Sequence, residues 1–163
     1  MRKIILAALL LYGLNTFSYD GPEMSFPTPK DRTENIGMFG SEVMLTWDSS
    51  FKKDPGAVFI KKITNPTPIV NYKKFINQII QKSKSNIPFG IQKEYVLFTK
   101  HKQKIICQEF KTGEGNTLRS VFVALIPKNN NEYYMFYYKD LALYYDAGVK
   151  GLKLSLFHFK LLD

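Results

Sequence analysis

Residues 131–140 read NEYYMFYYKD, five aromatic rings and one methionine in six consecutive positions between polar ends. In an extended strand successive side chains alternate, so Tyr133, Met135 and Tyr137 point one way and Tyr134, Phe136 and Tyr138 the other. Both faces are then apolar with hydroxyl tips. Two readings fit. The strand lies between covering layers, each ring giving apolar area and each hydroxyl reaching water or a carbonyl. Alternatively, the rings form a platform on which a base or sugar stacks. Stacking platforms for single-stranded nucleic acid pair their rings with Arg or Lys, and only Lys139 stands near in sequence. The buried reading is therefore preferred: a strand covered by a helix on one side and by loops on the other. Nucleic acid is disfavoured as a partner, and Tyr134 and Tyr138 remain as binding candidates.

The neighbouring segments carry the same signature. Upstream, the polar KNNN is a turn signal, and TLRSVFVALIP before it is apolar on both faces from Val121 to Ile126, as in a central strand. GEGN marks a further turn. EYVLFTK and KIICQEFK flank the short polar HKQ, which predicts a tight hairpin. Its tip, KHKQK (Lys100 to Lys104), is the densest basic cluster, and Lys100, His101, Lys102 and Lys104 are candidate contacts for phosphate or lipid head groups. A solvated tip is the simpler use of such charge.

Nearer the N-terminus, Val43, Leu45 and Trp47 alternate with Glu42, Met44 and Thr46, and AVFIKKIT follows after a polar turn. A helix is predicted after NPTP: Asn71 fits an N-cap, and Tyr72, Phe75, Ile76, Ile79 and Ile80 form one apolar stripe. Its lysines fall largely off that stripe, and Pro88 closes the segment. Such a basic helix can lie on a membrane surface, but it more often covers a sheet. Downstream of the aromatic run, Leu141, Tyr144, Tyr145, Val149, Leu152 and Leu156 return to helical spacing, although Gly148 and Gly151 weaken that helix. FHFKLL can end the chain as a short strand. The expectation is a single α+β domain: an antiparallel sheet of about six strands packed with two α-helices.

The N-terminal MRKIILAALLLYGLNTFSYDG has a basic start, an apolar run from Ile4 to about Leu14, and Thr16 and Ser18 at the −3 and −1 places of a cleavage site. That run is shorter than the ~20 residues needed to span a bilayer. The expected organisation is a signal peptide over 1–18, cleaved between Ser18 and Tyr19, an extended lead-in over 19–40 and the α+β domain over 41–163. No cysteine follows the apolar run to accept a lipid. Loss of Arg2 and Lys3 lowers the formal charge from +9 to +7, still favourable to anionic partners. The sole cysteine, Cys107, can form no internal disulfide, so the fold rests on its core.

Catalytic constellations are scarce. His101 and His158 are the only histidines, and neither has a partner at metal-ligand spacing. There is no G-x-S-x-G elbow, P-loop or dinucleotide glycine fingerprint. Cys107 alternates with Ile105 and reads as a buried thiol. Paired carboxylates would have to come from Glu42, Asp48, Glu109 and Asp140, whose separation in space cannot be read from sequence. The expectation is a protein without catalysis, metal or cofactor.

The order of elements resembles the PsbP-like fold, shared by photosystem II extrinsic PsbP proteins and small exported bacterial DcrB-like proteins. The likeness spans Met24 to Phe159. It is carried by the proline-bounded MSFPTP, the TW closing an early strand, the helix NYKKFINQII, an antiparallel meander and a last helix leading into LSLFHF. It implies an antiparallel sheet flanked by helices and a role in binding or assembly, with no active-site residues to carry over. The missing lipid-attachment cysteine departs from many bacterial members, and a cystatin-like or NTF2-like domain would show comparable alternation. The expected function is a non-enzymatic, exported binding or assembly protein of the bacterial envelope, periplasmic before secreted. It would engage a protein partner or an anionic envelope component, peripheral membrane contact included. The alternatives are a secreted effector or toxin-like protein, or a small hydrolase using Cys107 or a histidine.

Overall fold

The polar punctuation divides the chain into strands, most of which pair with a sequence neighbour. A computed structural model describes residues 17–20, 23–28, 32–36, 43–47, 57–81, 89–113 and 118–162. The strands are β1 (Phe17–Asp20), β2 (Met24–Thr28), β3 (Arg32–Ile36), β4 (Val43–Trp47), β5 (Ala57–Thr64), β6 (Phe89–Phe98), β7 (Lys104–Thr112), β8 (Arg119–Pro127), β9 (Glu132–Leu141) and β10 (Lys160–Leu161). Helix α1 (Tyr72–Gln81) lies between β5 and β6, and helix α2 (Ala142–His158) between β9 and β10. Among the described residues, seven strands form an antiparallel sheet in the order β3-β4-β5-β9-β8-β7-β6, and β1-β2-β10 form a smaller one. The α+β class and the pair of helices are as expected; the main sheet is one strand wider than the expected six, and a second sheet joins it.

The aromatic run is the middle of that sheet. β9 pairs with β5 through Val58↔Tyr138 and Ile60↔Phe136, and with β8 through Phe122↔Tyr138 and Leu125↔Met135. Tyr134, Phe136 and Tyr138 enter one core with Met24, Phe26, Phe122, Leu152 and Phe159, while Tyr133 and Met135 enter another with Ile76, Val121, Val123 and Leu125. A helix therefore lies on each face, α2 over the first core and α1 over the second. The expectation of loops over one face is corrected: the stripe of α1, Tyr72, Phe75 and Ile76, needs an apolar wall, and the odd-numbered positions of β9 supply it. Tyr72 and Phe75 both meet the Tyr133 ring, with centroids 6.4 and 6.3 Å apart.

Local chemistry fixes the ends of these elements. Asn71 caps α1, its Oδ1 accepting from Lys74 N at 2.9 Å. In the β8–β9 turn, Asn129 Oδ1 accepts from the backbone of Asn131 and Glu132 at 2.9 and 2.8 Å. The β6–β7 turn is held by Thr99, whose buried Oγ1 accepts from His101 N and Gln103 N at 3.1 and 3.2 Å. Lys102 there takes a positive φ of 65°. Helix α2 runs through Gly148 and Gly151 to His158. Gly148 is required by closeness: a Cβ there would lie 1.9 Å from the Tyr138 hydroxyl. Tyr138 is buried and stacked on Tyr145, with centroids 5.6 Å apart.

Several expectations lie outside the described residues: the proposed leader up to Thr16, Glu42, Asp48, the DSSFKKDPG and GEGN turns, and Pro88.

Candidate functional site

The residues singled out in the sequence separate into a surface group and a buried group. Lys100, His101, Lys102 and Lys104 are exposed at the β6–β7 tip. That tip is braced from two sides: Lys100 N donates to Phe157 O at 2.7 Å, and Gln103 Nε2 donates to Pro127 O at 2.9 Å. Tyr134 and Tyr138 are buried. Tyr134 donates its hydroxyl to the Glu23 carboxylate, and Tyr138 donates to Asp140 Oδ2 at 2.9 Å. Each ring is thus enclosed and each hydroxyl engaged by a carboxylate, so neither offers a stacking face at the surface. Ser18 and Tyr19 lie within β1, opposite Pro27 and Phe26 of β2.

Glu23, just before β2, is the first of two charged clusters joining distant parts of the chain. Besides Tyr134, it meets Lys62 Nζ at 3.1 Å and Lys128 Nζ at 3.2 Å, and Lys62 also meets Glu132 at 3.1 Å. The Tyr134 hydroxyl first, then Lys62 and Lys128, hold the Glu23 carboxyl down at about 2. The cluster fastens the small sheet to β5 and β9.

The second cluster surrounds Glu109. In β7 the residues Ile105, Cys107 and Glu109 point toward α2, which places a carboxylate at the margin of an apolar face. Lys153 of α2 reaches Glu109 at 2.7 Å, and Tyr95 of β6 donates its hydroxyl to it. The Lys153 ammonium also lies 4.9 Å from the Tyr95 ring centroid and 5.5 Å from that of Phe122. Burial acts to raise Glu109, but Lys153 and Tyr95 outweigh it and keep the carboxyl below its ordinary value. The Tyr95 and Tyr145 hydroxyls are both driven up, by burial first and then by this carboxylate.

Beside Glu109 a cleft of about 200 Å³ opens, lined also by Lys93, Lys111, Ser120, Tyr145 and Asp146. Its carboxylate is kept ionised by a fixed lysine, an arrangement suited to holding charge in place and poorly suited to donating a proton. Cys107 is fully buried, and burial pushes its thiol up to about 12, leaving it un-ionised at neutral pH. Asp140 accepts from Tyr138 and from Leu141 N, the latter at 2.8 Å. Among the described residues no group of three or more His, Cys, Asp or Glu side chains is placed to hold a metal. No helix among them is long and apolar enough to cross a membrane.

Sequence reasoning missed both clusters because their members lie far apart in the chain, Tyr134 being 111 residues from Glu23 and Lys153 44 from Glu109. One signal was present. Glu109 breaks the apolar alternation of Ile105 and Cys107, and a charge on an inward-facing strand position needs a partner.

No family model matches the chain, and no curated protein matches it in sequence. Solved structures do resemble it. LpqN of Mycobacterium tuberculosis, described as involved in cell envelope biogenesis, superimposes with a TM-score of 0.64 at 10% identity over 96% of each chain. The cyanobacterial PsbP of Synechocystis does so with a TM-score of 0.59 at 12% identity, over 90% of this chain and 92% of that one. A Pseudomonas aeruginosa protein of unknown function gives 0.51 at 9% identity, over 86% and 95%. At such identities the likeness speaks of backbone architecture alone. The chain has the PsbP-like fold.

Proposed function

We propose that this chain is an exported, non-enzymatic binding or assembly protein of the bacterial envelope, engaging a protein partner or an anionic envelope component through its surface. One observation carries the reading. The groups that chemistry would draw on, Cys107 and the rings of Tyr133, Tyr134, Phe136 and Tyr138, are enclosed in the core, whereas the cationic β6–β7 tip is both exposed and braced. A thiol raised to about 12 is a poor nucleophile, which weighs against a Cys107 hydrolase. The signal-like N-terminus supports export, and the envelope role described for LpqN, which shares this fold, supports the compartment.

Fractionation of the native host, followed by cross-linking and pull-down from the envelope, tests this. The protein is expected in the periplasmic extract with a cross-linked component, and Lys100→Glu with Lys102→Glu is expected to reduce capture. Recovery in the culture supernatant would overturn the envelope assignment. Turnover of envelope substrates that disappears with Cys107→Ala or His101→Ala would overturn the non-enzymatic reading.

A further inference from the structure

Helix α2 has more apolar surface than the fold encloses. One side, with Tyr145, Gly148, Val149, Leu152 and Leu156, is buried against the sheet. On the other side Leu143, Ala147, Lys150, Leu154 and Phe157 are exposed. Alternating steps of four and three residues keep these five within an arc of about 80°, so they form one ridge along the helix. Leu143 is 83% exposed, Leu154 60% and Phe157 47%.

The ridge runs into the β6–β7 tip. The bond from Lys100 N to Phe157 O makes the last turn of α2 and the hairpin tip one continuous surface. Around the C-terminal end of this ridge stand Lys100, Lys102, Lys150 and Lys160, all exposed and none in an ion pair among the described residues. The sole acidic residue of the helix, Asp146, lies toward its N-terminal end. Charge thus selects the C-terminal half.

Leucine and phenylalanine aligned in water mark a contact surface. A second copy laid antiparallel and symmetrically on the ridge would set Lys150 against Lys150 at its centre. An anionic lipid surface has no such conflict: apolar side chains enter the boundary between head groups and acyl chains, and lysines stretch to the phosphates. We infer that the C-terminal half of α2 and the β6–β7 tip dock on an anionic phospholipid membrane. Leu154 and Phe157 enter the head-group region, and Lys100, Lys102 and Lys160 meet its phosphates. This rests on the envelope-binding reading and specifies its anionic component as lipid.

The test is co-sedimentation of the protein, purified as its host exports it, with vesicles. Binding is expected to vesicles of equal parts phosphatidylglycerol and phosphatidylcholine, and not to phosphatidylcholine alone. Lysines near an anionic surface each contribute roughly fivefold, so Lys100→Ala with Lys102→Ala is expected to weaken binding on the order of twentyfold. Leu154→Ser with Phe157→Ser is expected to weaken it at least tenfold by removing buried apolar area. Leu143→Ser, at the far end of the ridge, is expected to leave binding unchanged. Equal binding to both vesicles, binding to neither, or indifference to both double substitutions would overturn the inference. So would a Leu143→Ser loss as large as that of the C-terminal pair. A dimer in sedimentation velocity that dissociates when Leu154 and Phe157 are replaced would assign the ridge to a second copy and also overturn it. Vesicle binding does not depend on where the cell keeps the protein. Recovery from the supernatant therefore defeats the envelope reading alone, and an envelope protein that ignores vesicles defeats this inference alone.

Discussion

Gly148 shows how one residue can carry two messages that oppose each other. By propensity it argues against a helix, costing about 1 kcal/mol relative to alanine in a free one. In the fold it is what lets α2 approach β9, because any Cβ would overlap the Tyr138 hydroxyl. Tyr138 is enclosed by Tyr145 and tied to Asp140, so it yields only by disturbing the core. Gly148→Ala is therefore expected to destabilise the protein by about 1–3 kcal/mol in urea unfolding, against the gain that propensity alone would give. Glu23 offers a second test. Its folded carboxyl lies near 2, below the ordinary 4.5, so its contribution is fully present above pH 4.5 and is lost as pH falls toward 2. The gap in melting temperature between the natural protein and Glu23→Gln should close across that window and stay constant above it. Neither effect was legible in the sequence: the first depends on how closely α2 packs onto β9, and the second on a contact between Glu23 and Tyr134, 111 residues apart.

Elements were more legible than contacts where a pattern had one meaning. Helix α1, with Tyr72, Phe75 and Ile76 of its stripe turned to the sheet, and its Asn71 cap appear in the fold as the spacing predicts, and the Asn129 turn forms where KNNN stands. Loss of the cap through Asn71→Ala should cost ~1 kcal/mol of stability, with α1 fraying first in hydrogen exchange. The short closing strand expected within FHFKLL forms as β10, whereas β3 was not read. β3 (RTENI) has no apolar alternation. The covering of β9 was half legible. Alternating rings announce two apolar faces, but a sequence does not say which helix returns to which face. α2 conceals its own division: it is apolar both toward the sheet and toward solvent, so periodicity marks a helix without separating its buried side from its ridge.

At the scale of the molecule, seven strands with a helix on each face make a body that needs no cross-link, and the PsbP-like architecture follows from that layering. Of the candidate residues, the basic tip was legible as a cluster of lysines. Its bracing by α2 and β8 was not, since it rests on one backbone bond and one side-chain bond between segments remote in sequence. The central claim is that the ring-rich strand is interior and that binding belongs to the surface formed by the hairpin tip and the end of α2. Hydrogen exchange of the native protein, with and without vesicles containing phosphatidylglycerol, tests both halves in one measurement. Tyr133 to Tyr138 are expected to hold the slowest amides under either condition, with added protection on Lys100 to Lys104 and on the last turns of α2. Fast exchange along the aromatic run, or protection gained there when vesicles are added, would contradict the claim.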